Sequence, residues 1–245
     1  MTDDAETGDI GEADETGETG EARETGQAGG SGDGGDPLRV AVIIGSTREG
    51  RIGDAVGRWF VERARVRGEL DLVVLDLAEF DFPVHYPERA TEQMTEFAGA
   101  IGKAEAFVVV TPEYNRSFPA SLKQAIDFAY DEWRTKPVGF VSYGHGSSGL
   151  YAVEQLRSVF TELHTVTLRN GVALDFLHTP LEDRAGACAR DRAVRLMLDQ
   201  LGWWGWALRE ARAVRPSPDT RPHAPRTLIC TRPPNIDDDV QGMDS

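Results

Sequence analysis

Three runs of the chain contain almost nothing that could be turned toward water: LRVAVIIG at 38–45, AFVVVT at 106–111 and PVGFVSYG at 137–144. A strand wetted on one face alternates apolar and polar residues. A run that does not alternate is covered on both faces, as the strands of a parallel sheet are. LDLVVLDL (70–77) reads as a further strand and HTVTL (164–168) as a short fifth, while GVALDF (171–176) either extends the fifth or forms a flap. Helical patterns fill the intervals. The first, 52–68, carries Val56, Phe60, Ala64 and Val66 on one stripe and stops at Gly68. The next covers 90–105, and another runs through 121–133 with Pro119 and Ser121 near its start. A fourth occupies 147–163, and a last one begins near Glu182 and runs toward Val214.

Strand and helix in strict alternation, with strands too apolar to be solvated, specify an α/β fold. The expected architecture is a doubly wound parallel sheet with helices on both faces. Five strands suggest the flavodoxin-like order 2-1-3-4-5, although a longer Rossmann sheet also fits. Ligands of such sheets sit beyond the carboxyl ends of the strands, where the strand order reverses, which selects the loops 45–53, 111–119 and 143–149.

The ends of the chain have another texture. Residues 1–36 repeat Glu-Thr-Gly four times and contain ten glycines, 12 acidic residues and a single Arg. Such a segment has too little apolar surface to offset its chain entropy and is expected to be a disordered acidic tail. Its net charge is −11 of the chain's −15, so residues 37–245 keep only −4. A near-neutral domain gives no reason to expect nucleic acid as a partner. Residues 37–214 are then the folded domain, and 215–245, with six of the 13 prolines, a Pro-rich extension expected to be disordered. Cys188 and Cys230 lie far apart with no CxxC, and His85, His164, His178 and His223 have no metal spacing. No signal peptide and no 18-residue apolar window is visible, so a cytoplasmic protein without a membrane span is expected.

The first loop, GSTREGRIG (45–53), leads from a buried strand into a helix, whose N-terminal N–H groups and dipole suit a phosphate. Ser46 and Thr47 add hydroxyls, and Arg48 and Arg51 add charge. Thr47 stands where a dinucleotide fingerprint needs its second Gly, and Arg51 and Ile52 replace the Lys and Ser/Thr of a P-loop. In the second loop, TPEYNRSFP (111–119), Tyr114 offers an aromatic surface and Asn115 an amide suited to the pyrimidine edge of a heterocycle. In the third, SYGHGSSGL (142–150), Gly144, Gly146 and Gly149 let backbone approach a ligand, and Tyr143 and His145 could lie along a ring. The group Trp203, Trp204 and Trp206 fits core or subunit packing better than a ligand cage.

Over residues 38–177 the chain resembles the NADPH-dependent FMN reductase family of the flavodoxin-like fold, which includes quinone, azo and chromate reductases. The resemblance rests on GSTREGRIG, on PEYNRSFPASLKQAIDFAYDEW and on KPVGFVSYGHGSSGLYAVEQLR. It implies non-covalent FMN, with the phosphate held by Ser46, Arg48, Arg51, Ile52 and Gly53. The isoalloxazine falls to Pro112, Glu113, Tyr114 and Asn115, together with Ser142, Tyr143, Gly144, His145 and Gly146. Tyr114 and His145 line the ring, and no side chain is an obligatory catalytic base. NADPH or NADH is the donor; the acceptor is a quinone, azo compound, metal oxyanion or free flavin. A homodimer or homotetramer is implied, with no nucleic acid and no membrane as partner. The residues leave three alternatives open: a flavodoxin-type electron carrier, a flavin reductase supplying reduced FMN to a monooxygenase, and a redox-sensing interaction protein.

Overall fold

The computed structural model of the chain describes residues 36–176, 181 and 186–215. The acidic tail at 1–35, the segment 216–245, Cys230, His178, His223 and the expected helix start at Glu182 lie outside the described residues. Six strands, β1 (Leu38–Ile44), β2 (Leu70–Asp76), β3 (Ala106–Pro112), β4 (Pro137–Gly144), β5 (Val166–Thr167) and β6 (Val172–Asp175), form one sheet. Five helices connect or flank them: α1 (Gly53–Ala64), α2 (Glu92–Lys103), α3 (Ala120–Phe128), α4 (Leu150–Glu162) and α5 (Ala187–Val214).

The sheet runs β2-β1-β3-β4-β5, every pair parallel, with β6 also paired to β4. β5 and β6 share the fifth position. Val166 and Thr167 pair with Pro137 and Val138, and Val172–Asp175 pair with Val141–Gly144 further along the same edge. GVALDF therefore extends the fifth strand after a break, because residues 168–171 step out of register before pairing resumes.

Alternation along the strands sends side chains into two cores. Val40, Val42, Val108 and Val141 meet Trp59 and Phe60 of α1 and Met197, Leu198 and Leu201 of α5 on one face. Ala41, Ile43, Phe107 and Phe140 meet Phe97 and Ile101 of α2, Leu122 and Ile126 of α3, and Leu156 and Phe160 of α4 on the other. Both cores are apolar along most of the sheet, with buried polar groups such as Thr111, Ser142 and the Tyr143 hydroxyl only at the carboxyl ends of β3 and β4, which is why the central strands read as nearly unbroken hydrophobic runs.

Several helices end earlier than their pattern suggests. α1 stops at Ala64, where Arg67 N–H bonds back to the Ala64 carbonyl, so Val66 is 86% exposed and lies off the core stripe. The stretch 121–133 breaks after Phe128, because Ala129 turns extended to let a short 3₁₀ turn bury Trp133. The indole of Trp133 is fully buried and donates to the Ile126 carbonyl at 3.0 Å. Buried Lys136 donates to the carbonyls of Ile101, Gly102 and Glu132, satisfying the open C-terminus of α2. No helix of the described residues is long and apolar enough to cross a membrane.

Candidate functional site

The strand order reverses between β1 and β3, and the loops leaving the carboxyl ends of β1, β3 and β4 converge there. Register alone brings them near: Ile44 pairs with Val110, Pro112 with Tyr143, and Gly144 with Asp175. Side chains then tie each loop to its neighbour.

Loop one turns tightly, with Arg51 N–H bonded to the Arg48 carbonyl and Gly50 at φ +69°. Ser46 is fully buried, whereas Thr47, Arg48, Glu49, Gly50 and Ile52 are exposed. Ile52 caps α1 without a side-chain bond. Gly53 starts that helix against the loop, and a Cβ there would stand 2.1 Å from Ser46 Oγ and 2.7 Å from the Tyr143 hydroxyl.

Arg51 does not project into the open. Its two terminal nitrogens each sit 2.6 Å from an oxygen of Asp76, at the end of β2, and Nη1 also donates to the Ser46 carbonyl at 2.7 Å. The Asp76 hydrogen bonds hold the guanidinium protonated above its ordinary range. The Asp76 carboxylate also accepts from Ala78 N–H. Arg51 is thereby a brace between β2 and loop one, and Arg48 is the loop's exposed cation. The Arg48 guanidinium lies 5.1 Å from the Tyr114 ring centroid, which joins loop one to loop two.

Loop two is a two-residue hairpin. Tyr114 and Ser117 exchange both backbone bonds, at 2.8 and 2.9 Å, around Asn115 (φ +51°) and Arg116 (φ +63°). Two successive positive φ values make a type I′ turn, a conformation that costs an arginine energy and so must be held by its surroundings. Gln155 of α4 holds it, donating to the Arg116 carbonyl and accepting from Ser117 Oγ. The Arg116 guanidinium stacks 4.2 Å from the Tyr151 ring centroid. Asn115 is exposed at the tip.

Loop three is tied at both ends. Glu113 accepts from Ser147 Oγ at 2.7 Å and from Tyr151 N–H at 3.2 Å, and its own N–H donates to the Tyr143 carbonyl. Ser142 Oγ donates to the Ser148 carbonyl, and Gly146 N–H donates to Asp175 of β6. Ser148 and Gly149 take positive φ, so the chain turns there and α4 begins at Leu150, not at 147. His145 and Gly146 are exposed and Gly144 half-buried at the rim. The Tyr143 ring belongs to the core under loop one, and its hydroxyl donates to Ser46 Oγ at 3.2 Å. Burial pushes that phenol up to about 12, so it stays a donor.

The structure thus gathers every residue expected at the site around one rim but divides them by role. Thr47, Arg48, Ile52, Asn115, His145 and Gly146 face outward, while Ser46, Arg51, Glu113, Ser142 and Tyr143 spend their side chains inside. Sequence reasoning missed Asp76, Ser121, Ser147 and Gln155. Asp76 had a signal, an acid closing an apolar strand. Ser121, which links Thr47 Oγ1 to the Gly45 carbonyl, had only its place beside a helix start. Among the described residues no three His, Cys, Asp or Glu side chains form a metal-holding group.

A doubly wound parallel sheet whose switch-point rim is lined by a tight strand-to-helix loop and two glycine- and proline-shaped loops defines a flavodoxin-like α/β protein. Residues 38–179 match the model of one family of that class, and the chain belongs to it: the NADPH-dependent FMN reductase family. An NAD(P)H-dependent FMN reductase of Schizosaccharomyces pombe is 34% identical over 130 residues, which are 49% of this chain and 64% of that one. A quinone reductase of Pseudomonas putida is 34% identical over 116 residues, 45% of this chain and 62% of the other. The matches therefore span less than two thirds of either relative. Among solved structures, the flavoenzyme FerB, an NAD(P)H:(acceptor) oxidoreductase from Paracoccus denitrificans, superposes with a TM-score of 0.58 at 23% identity. That superposition covers 67% of this chain and 97% of FerB, a likeness of fold.

Proposed function

We propose that the protein binds FMN without covalent attachment and passes two electrons from NAD(P)H to a quinone or similar small acceptor. The observation that carries this reading is the cross-tied rim: an anion-type loop at an α1 start without a side-chain cap, with exposed Arg48, beside two loops that offer main chain and amide groups. Those groups fit a phosphate joined to a flat heterocycle. Residues Ser46, Arg48, Arg51, Ile52 and Gly53 form the phosphate loop, in which Arg48 supplies free charge and Arg51 supplies shape. Pro112, Glu113, Tyr114 and Asn115 edge the ring, with Ser142, Tyr143, Gly144, His145 and Gly146. Ser142 and Tyr143 act through main chain because their side chains are already engaged.

FMN supplies a ring that accepts hydride and gives up two electrons, chemistry the protein itself lacks. The protein's part is positional. Glu113 fixes the spacing of loops two and three through Ser147 and Tyr151, and the Asp175 bond fixes Gly146 N–H near the rim. Loop amides left unbonded at this rim would be the groups that could stabilise negative charge on the reduced ring. Beyond the three loops no further Gly-rich turn is left in the sequence to hold a dinucleotide separately, so nicotinamide and acceptor use the same rim in turn. The same reading makes the protein a cytoplasmic homodimer or homotetramer.

Purified protein carries the yellow absorbance of FMN on this reading, and binds FMN at least about tenfold more tightly than riboflavin, as a charge-assisted phosphate contact of about 1.5–3 kcal/mol requires. Initial rates with NAD(P)H and a benzoquinone give parallel reciprocal lines. Equal affinity for FMN and riboflavin overturns the phosphate loop; intersecting lines overturn the shared rim; no reduction of bound flavin by either nucleotide overturns the enzyme.

A further inference from the structure

The longest helix, α5, packs Val194, Met197, Leu198, Leu201, Gly202 and Gly205 inward. Its outward side should be polar, as on any helix with one buried stripe, yet large apolar side chains stand there among the charges. Trp203 is 64% exposed and stacks edge-on against Trp204, itself 37% exposed, while Leu196 is 43% and Val214 77% exposed. Leu196 and Trp203 are seven residues apart, as are Ala207 and Val214, the spacing of a seam that meets another helix.

The helix charges point the same way. Asp191 pairs with Arg63, Asp199 with Arg67 and Arg209 with Glu105, and Arg212 donates to the Thr135 carbonyl. Arg192, Arg195 and Glu210 remain, all exposed and with no hydrogen bond or ion pair among the described residues. The two arginines precede the tryptophans, the glutamate follows them, and the separation is about 22–27 Å at 1.5 Å per residue.

We propose that this face is a contact between two copies of the chain, α5 lying antiparallel on α5 about a two-fold axis near Trp203. Antiparallel pairing sets Arg192 and Arg195 of each copy beside Glu210 of the other, whereas parallel pairing sets like charge on like. It also places the tryptophans at the centre and the charges at the rim, the arrangement that stable interfaces favour. An isologous contact needs such self-complementarity, and the exposed residues supply it. The inference rests on the homo-oligomer in the proposed reading and names its face; it uses no ligand, so it can fail while flavin binding stands.

Sedimentation of the full chain across a range of concentrations tests it. Trp203→Glu, at an exposed position that the fold tolerates, should weaken self-association at least tenfold while leaving the melting temperature of the dissociated chain unchanged. Glu210→Arg should weaken it as well. The triple variant Arg192→Glu/Arg195→Glu/Glu210→Arg should restore it, because the pairs re-form with reversed sign. Undiminished association in Trp203→Glu overturns the proposal, as does a triple variant no better than Glu210→Arg. It is likewise overturned by a monomeric wild type whose Trp203 fluorescence shifts to the red only when residues 216–245 are removed, for then the chain's own C-terminal segment covers the face.

Discussion

At the scale of single residues the rim depends on two buried polar pairs. The Arg51–Asp76 pair is bidentate, with both side chains less than a fifth exposed. Asp76→Asn leaves the shape and removes the countercharge; for a partly buried pair the loss falls between the surface and fully buried cases, about 1–3 kcal/mol. Because the two residues act together, Arg51→Met/Asp76→Asn should be no less stable than Asp76→Asn alone in urea titrations; additive losses would show that they act separately. The second pair is Tyr143 and Ser46. Burial raises the phenol above its unfolded value of 10.0 to about 12. Below pH 10 folded and unfolded chains are both protonated at Tyr143; between 10 and 12 only the unfolded chain loses its proton. Stability linked to Tyr143 is therefore complete below pH 10 and is lost as pH rises toward 12, by up to about 2–3 kcal/mol. The stability gap between wild type and Tyr143→Phe, about 1 kcal/mol at neutral pH from the lost hydrogen bond, should narrow or invert over that window. A gap that stays constant to pH 12 refutes the buried phenol.

At the scale of elements, the start of α4 is set by backbone conformation and not by helix propensity. Gly146 and Gly149 both stand at φ +80°, yet their surroundings differ. A Cβ on Gly149 would lie 2.7 Å from Ser142 Cβ and Tyr143 N, while one on Gly146 meets nothing within 4 Å. Gly146→Ala should cost only the left-handed strain, about 1 kcal/mol, and Gly149→Ala at least about 2 kcal/mol more through the clash with β4. Equal losses on thermal unfolding would place the α4 start elsewhere. The turn at Asn115 and Arg116 follows the same logic: the Tyr114–Ser117 backbone bonds close it, and Gln155 and Tyr151 of α4 help hold the arginine at positive φ.

At the scale of the whole molecule, charge and fold are separable. The acidic segment 1–36 holds −11 of the −15 formal charges and almost no apolar side chains to place in a core. Removing it should leave the melting temperature and the bound FMN within error of the full chain, while raising the isoelectric point. A fall in either property would mean that the tail packs on the domain.

The sequence by itself determined the class of fold and pointed to the strand order, which the pairing of β5 and β6 on β4 then settled. Unbroken apolar strands can only be covered on both faces, and a doubly wound sheet has a single kind of switch point. Its motifs also selected the three loops, since glycines, prolines and arginines at loop positions report local backbone demands. The division of labour inside the site was decided by the tertiary structure alone. That Arg51 braces β2 while Arg48 stays exposed, and that Tyr143 lies under Ser46, follow from Asp76 arriving 25 residues later and from β4 meeting loop one across 97 residues. The exposed tryptophans of α5 follow the same rule: a helical period says that one face is buried, and only packing against β1 and β4 says which. Local patterns fix what a segment can become; contacts between distant segments fix which of its side chains remain free to act.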